Sequence, residues 1–133
     1  TSDPVGDVLL RVHRSYLRPI ASLLPGDRVR ALAHITGGGI PGNLDRSIPD
    51  GLQGVVELGS WEVPAPFRGV REAGHIAAEE MFRTFNMGVG MILAVAPGAV
   101  DGVLRSLREA GEDAWVMGEV RNRPAGEDAV ALV

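Results

Sequence analysis

The residues of this sequence best suited to chemistry lie in one stretch, residues 33–46, which reads AHITGGGIPGNLDR. It holds an imidazole (His34), a hydroxyl (Thr36), three consecutive glycines (Gly37, Gly38 and Gly39), an amide (Asn43) and a guanidinium (Arg46). Consecutive glycines let the backbone approach an anion closely and turn several N–H groups toward it, and Thr36 adds a hydroxyl donor. Such a stretch suits the holding of a phosphate group, with Arg46 as counter-charge and Asn43 orienting the ligand. A plainer reading stands beside it, because three glycines also serve a strained turn that needs positive φ. His34 likewise has two readings: a donor to a developing oxygen charge, or a histidine that pins the loop from beneath.

A second stretch, residues 79–91, reads EEMFRTFNMGVGM. Met81, Phe82 and Phe85 recur at helical spacing and belong to a core. Arg83, Thr84 and Asn86, followed by Gly88, place a cation and two hydrogen-bonding groups where a helix gives way to a buried strand.

Two tempting patterns fail on spacing. Gly37, Gly39 and Gly42 match G-x-G-x-x-G, and Glu57 lies twenty residues beyond Gly37, as a ribose-binding acid would. Only residues 43–51 separate this loop from the next strand, however, and Pro49 and Gly51 interrupt them, so no crossover helix is expected and residues 37–42 read as loop. His13 and His75 share no metal-ligand spacing with His34, and no H-x-x-x-H or carboxylate cluster occurs, so no metal site is expected within the chain.

The elements that must position these groups follow from apolar periodicity. Tyr16, Leu17, Ile20, Leu23 and Leu24 predict a short helix ending before Pro25 and Gly26. Residues 29–36 predict a buried strand, 52–58 a second, and 89–95 (VGMILAV) a third covered on both faces. Pro64 and Pro66 suit the first turn of a helix through about Ala73, stopped by Gly74, and residues 77–85 form another. Val100, Val103, Leu104 and Leu107 line one face of the clearest helix, with Arg105 and Arg108 off it and Gly111 as its cap. Strands over 115–120 and 129–133 complete an α+β, layered domain of about five strands and four helices around a mixed sheet. Residues 1–7 and 122–128 read as flexible.

With 133 residues, 45% of them hydrophobic and none cysteine, the chain makes one domain with a real core and no disulfide framework. All thirteen basic residues are arginine, so a P-loop lysine and a Schiff-base lysine are excluded. A net charge of -4 argues against a broad nucleic-acid surface. No apolar run of membrane-spanning length and no signal-peptide order occurs, which places the expected location in the cytoplasm.

Together, residues 33–46, residues 59–67 (GSWEVPAPF) and residues 79–91 resemble, in order and spacing, the C-terminal half of the phosphoribosylformylglycinamidine cyclo-ligase (aminoimidazole ribonucleotide synthetase) family, from about Leu9 to Val120. His34, Thr36, Gly37, Gly38 and Gly39 stand where that family has its AHxTGGG signature, Asn43 and Arg46 where its next asparagine and arginine stand, and residues 82–90 where it has FRTFNMGxG. The resemblance implies a PurM-like C-terminal-domain fold and a share in an enzyme that uses ATP and Mg2+ to phosphorylate the formyl oxygen of formylglycinamidine ribonucleotide. An amidine nitrogen then closes the imidazole ring and phosphate leaves. It further implies a homodimer of two-domain subunits, in which an N-terminal domain brings the Mg2+ ligands and nucleotide strands. That domain is not among these residues. Selenophosphate synthetase and thiamine-phosphate kinase share the architecture and offer the alternative enzyme reading; a non-catalytic domain binding a phosphorylated metabolite or a protein is the alternative of another class.

One departure stands out. Where the family usually reads close to LLxPTxIYV, this chain has Leu9, Leu10, Arg11, Val12, His13, Arg14, Ser15, Tyr16 and Leu17, so Val12 and His13 replace Pro-Thr. The eight aspartates and nine glutamates are scattered, which leads to the expectation that this chain alone is inactive and holds neither ATP nor Mg2+ by itself.

Overall fold

The computed structural model describes residues 4–133. Of residues 1–7, expected as a loose end, 1–3 lie outside the described residues, while α1 (Val5–Leu9) is a single turn with no buried residue. The helix expected around Ile20 is α2 (Leu17–Ala21); Pro19 and Ile20 are its buried positions. The strands are β1 (Val29–His34), β2 (Leu52–Val56), β3 (Met91–Val95), β4 (Gly118–Asn122) and β5 (Val130–Leu132). Between them run α3 (Gly39–Leu44), α4 (Ala65–Gly74), α5 (Ala78–Thr84) and α6 (Val100–Glu109).

The five strands divide between two sheets rather than sharing one. β1 and β3 pair antiparallel, with Leu32 opposite Leu93 and His34 opposite Met91. The second sheet is mixed: β2 lies in the middle, antiparallel to β4 and parallel to β5. The layered α/β character expected from the sequence holds, with six α-helices among the described residues instead of about four. Two of the additional turns, α1 and α3, lie where the sequence offered no helical period.

The appearance of α3 corrects the reading of residues 37–42 as loop. Gly39, Pro41 and Gly42 are poor helix formers, yet Ile40 and Leu44, four apart on one face, are both buried. They join Ala33, Ile35, Val56 and Val89 in the core, with Trp61 and Trp115 packed against it. Burying an isoleucine and a leucine is worth about 1.5–3 kcal/mol each, more than enough to override weak propensity. The dinucleotide reading still fails, because β1 and β2 belong to different sheets.

β3 is not sealed on both faces; each of its five residues is only partly buried. It borders an apolar cleft of about 250 Å3 that Pro19, Ile20, Leu104, Leu107 and Trp115 also line. α6 follows its expected stripe, with Val103 buried and Arg105 and Arg108 exposed. The stretch 122–128, expected as flexible, is held at both ends: Arg123 N–H donates to the Gly51 carbonyl at 2.8 Å, and Gln53 Nε2 donates to Glu127 Oε2 and to the Asp128 carbonyl at 2.9 Å each.

Candidate functional site

β1 delivers the site. Its alternation, carried two residues past the strand's end, buries Ala33 and Ile35 and leaves His34 and Thr36 exposed on the opposite side, so the imidazole and the hydroxyl share one rim. After Thr36 the chain turns: Gly39 N–H donates to the Thr36 carbonyl at 3.1 Å, and Gly38 takes φ 97°. Gly39 itself is buried at φ 62°, where a Cβ would strike the Phe82 carbonyl and lie 3.0 Å from the Phe85 carbonyl oxygen. The loop is therefore pressed against the C-terminal end of α5, and the two chemistry-bearing stretches of sequence form one structure.

Asn43 shapes this loop from within. Its buried Nδ2 faces the carbonyls of Thr36 (3.2 Å), Gly37 (3.2 Å) and Gly39 (2.8 Å), and its Oδ1 lies 3.4 Å from Thr36 Oγ1. An amide occupied in this way is a brace, and the structure turns it away from the ligand-orienting part expected of it. Gly39 also drops out as an anion donor, since its N–H is used in the turn. What remains are the N–H groups of Gly37 and Gly38, which make no hydrogen bond among the described residues.

Gly37 differs from its neighbours. It is exposed, its φ lies outside the left-handed region, and a Cβ built there would meet nothing within 4 Å. Nothing in the fold requires glycine at this position.

A family model described as "AIR synthase related protein, C-terminal domain" matches residues 1–130. The chain belongs to this family. Among its relatives, the phosphoribosylformylglycinamidine cyclo-ligase of Sorangium cellulosum is 49% identical over 87% of this chain, and that of Trichlorobacter lovleyi 46% identical over 97%. The AIR-synthase-type chain spans about a third of the length of these relatives, 34% and 37% respectively. Among solved structures, Escherichia coli HypE, a hydrogenase maturation protein, matches with a TM-score of 0.64 and 26% identity over 89% of this chain and 35% of its own.

The other expected residues of this AIR-synthase-type domain take varied positions. Arg46 sits in the 3-10 turn Asp45–Ser47 beyond α3, exposed and separated from Gly39 by about 10 Å of helical rise. Arg83 and Thr84 are exposed at the end of α5 and both turn to Glu80: Arg83 Nη1 lies 3.8 Å from Glu80 Oε2, and Thr84 Oγ1 donates to Glu80 Oε1 at 3.2 Å. Asn86 Oδ1 accepts from Gly88 N–H at 3.0 Å, bracing a turn in which Met87 is buried at φ 53°. Trp61 Nε1 donates to the Met87 carbonyl at 3.0 Å, and Gly88 admits the ring of Pro64, whose Cδ a Cβ would approach to 2.5 Å. The GSWEVPAPF stretch thus supports the FRTFNMG stretch from outside.

His34 is no core histidine, and it does not hold the loop from beneath. It is exposed, and its Nε2 lies 3.3 Å from Nε2 of His13. Sequence reasoning gave His13 no part; its replacement of the family threonine was the one signal that marked the position. Tyr16 lies beside both imidazoles, with ring centroids 6.2 Å from His13 and 6.1 Å from His34. Burial pushes the Tyr16 phenol above its ordinary pKa of 10.0, the Glu112 carboxylate adds to this, and the Arg14 guanidinium opposes it.

Proposed function

We propose that this chain serves as the C-terminal domain of a phosphoribosylformylglycinamidine cyclo-ligase, and that its glycine loop receives a phosphate group of substrate or intermediate. The observation that carries the reading is identity to such enzymes of 42–49% across most of the chain. Similarity to HypE, at 26%, speaks for the shared fold.

In this reading the whole enzyme activates the formyl oxygen of formylglycinamidine ribonucleotide with ATP, and an amidine nitrogen then displaces phosphate to close the ring. The part of this chain is positioning and charge stabilisation. The Gly37 and Gly38 N–H groups donate to phosphate oxygens, the Thr36 hydroxyl adds a donor, and His34, on the same rim, can donate to a developing oxygen charge. Asn43 keeps the loop carbonyls turned inward so that the N–H groups face outward.

Mg2+ takes carboxylate oxygens, and among the described residues no group of three or more acidic or histidine side chains gathers to hold a cation. The residues here do not fit a Mg2+ site, so the ligands for that ion, like the nucleotide strands, would come from the remainder of a longer protein. The whole enzyme, in the same reading, is a cytoplasmic homodimer.

Calorimetry with formylglycinamidine ribonucleotide, ATP and inorganic phosphate tests the proposal. Preference for the ribonucleotide or phosphate over ATP supports it, and heat with ATP alone would overturn it.

A further inference from the structure

We propose that His13 and His34 form a two-imidazole site for a borderline first-row transition-metal ion, Zn2+ above all. Two nitrogens bound to a tetrahedral ion at about 2.0–2.1 Å are about 3.3–3.4 Å apart. The Nε2 atoms of His13 and His34 are separated by 3.3 Å, a spacing at the long end for a hydrogen bond and matched to the edge of such a tetrahedron. Their rings meet edge to face, with centroids 5.0 Å apart and planes at 87°. Both side chains are exposed, so an ion can reach them from solvent.

A second observation favours metal ligation. His13 Nδ1 lies 2.8 Å from the Arg14 carbonyl, which can only accept, so Nδ1 carries the proton and Nε2 presents its lone pair toward His34. A ligating imidazole typically has its other nitrogen anchored in this way. The local charge permits a cation. Arg14, next to His13 in sequence, is drawn off by Glu112 at 2.8 Å and by the Gly111 carbonyl at 2.9 Å.

Tyr16 is not a third ligand. Its hydroxyl is directed at Gly90, where a Cβ would collide with it. Water therefore completes the coordination, and the site selects imidazole-seeking ions over Mg2+. Because His13 stands where the family usually has threonine, the site is a property of this chain; it shares His34 with the function proposed above but does not depend on the phosphate-binding loop.

The chain offers a clean test, since it has three histidines and no cysteine. The 133-residue protein is titrated with Cu2+ and followed by electron paramagnetic resonance, with Zn2+ binding measured in parallel by calorimetry. The expected result is one strongly bound ion per chain showing hyperfine coupling to two imidazole nitrogens. Affinity should fall at least about tenfold in each of His13→Asn and His34→Gln, and be unchanged in His75→Asn. Circular dichroism confirms the fold of each variant. Coupling to a single nitrogen in the wild-type protein, or unchanged affinity in either folded variant of the pair, would overturn the proposal.

Discussion

Gly39 lies so close to the Phe82 carbonyl that no Cβ fits between them. This contact joins the loop after β1 to the end of α5 and makes the two glycine-bearing stretches a single unit. Gly39→Ala should therefore act on folding: positive φ costs about 1–2 kcal/mol and overpacking about 1–3 kcal/mol more. Denaturant unfolding should show a loss of about 3 kcal/mol, and a loss below about 1 kcal/mol would mean that the loop is not seated on α5.

Gly37→Ala should do the opposite. A Cβ there meets open space, so the unfolding midpoint should stay close to that of the parent protein. Phosphate or ribonucleotide affinity should drop, because the methyl group stands where a ligand must approach the N–H groups. Full affinity in Gly37→Ala would leave the glycine without a ligand-related reason.

Asn43→Asp tests the brace. The substitution sets a carboxylate against the Thr36, Gly37 and Gly39 carbonyls, acceptor against acceptor, at a buried position. A cost of about 3 kcal/mol or more is expected near neutral pH. Thermal melts that match the parent would show that the amide is not holding those carbonyls.

Much of this unit was legible in sequence, and the reasons for the gaps are specific. α6 announced itself through Val100, Val103, Leu104 and Leu107, and β1 through its apolar run. α3 did not, because its helix formers are absent and its cause is tertiary: Ile40 and Leu44 meet the core while Asn43 ties the turn. The pairing of β1 with β3 rather than with β2 rests on contacts more than fifty residues apart, which no local period encodes. The approach of His13 to His34 is a tertiary contact between the chain ahead of α2 and the end of β1, so the spacing of the two residues in sequence carried no trace of it.

Tyr16, the single tyrosine, gives a pH dependence that can be read in isolation because the chain has no lysine. Its phenol pKa is raised in the folded state, so the folded chain holds its proton more tightly than the unfolded chain. The stabilisation is complete below the unfolded value of 10.0 and is lost as pH rises through the higher folded value. Phenolate absorbance should appear later in the folded protein than in denaturant, and Tyr16→Phe should flatten the decline in stability above pH 10. Coincident titrations in the two states would contradict this.

Arg83→Ala separates surface from site. The side chain is exposed and its contact with Glu80 is long, so stability should change by no more than about 0.5 kcal/mol. Weaker ribonucleotide binding in this variant would support a part for Arg83 in the proposed ligand site. A large loss of stability would show that the arginine serves the fold.

The most direct measurement is a chimera in which residues 1–133 replace the matching third of the Sorangium cellulosum cyclo-ligase, assayed for aminoimidazole ribonucleotide formation from formylglycinamidine ribonucleotide and ATP. The expected result is turnover by the chimera, none by residues 1–133 alone, and loss of turnover in a folded chimera carrying Gly37→Val. A folded chimera that binds ATP but forms no product, or product formed by the purified 133-residue chain alone, would contradict the account.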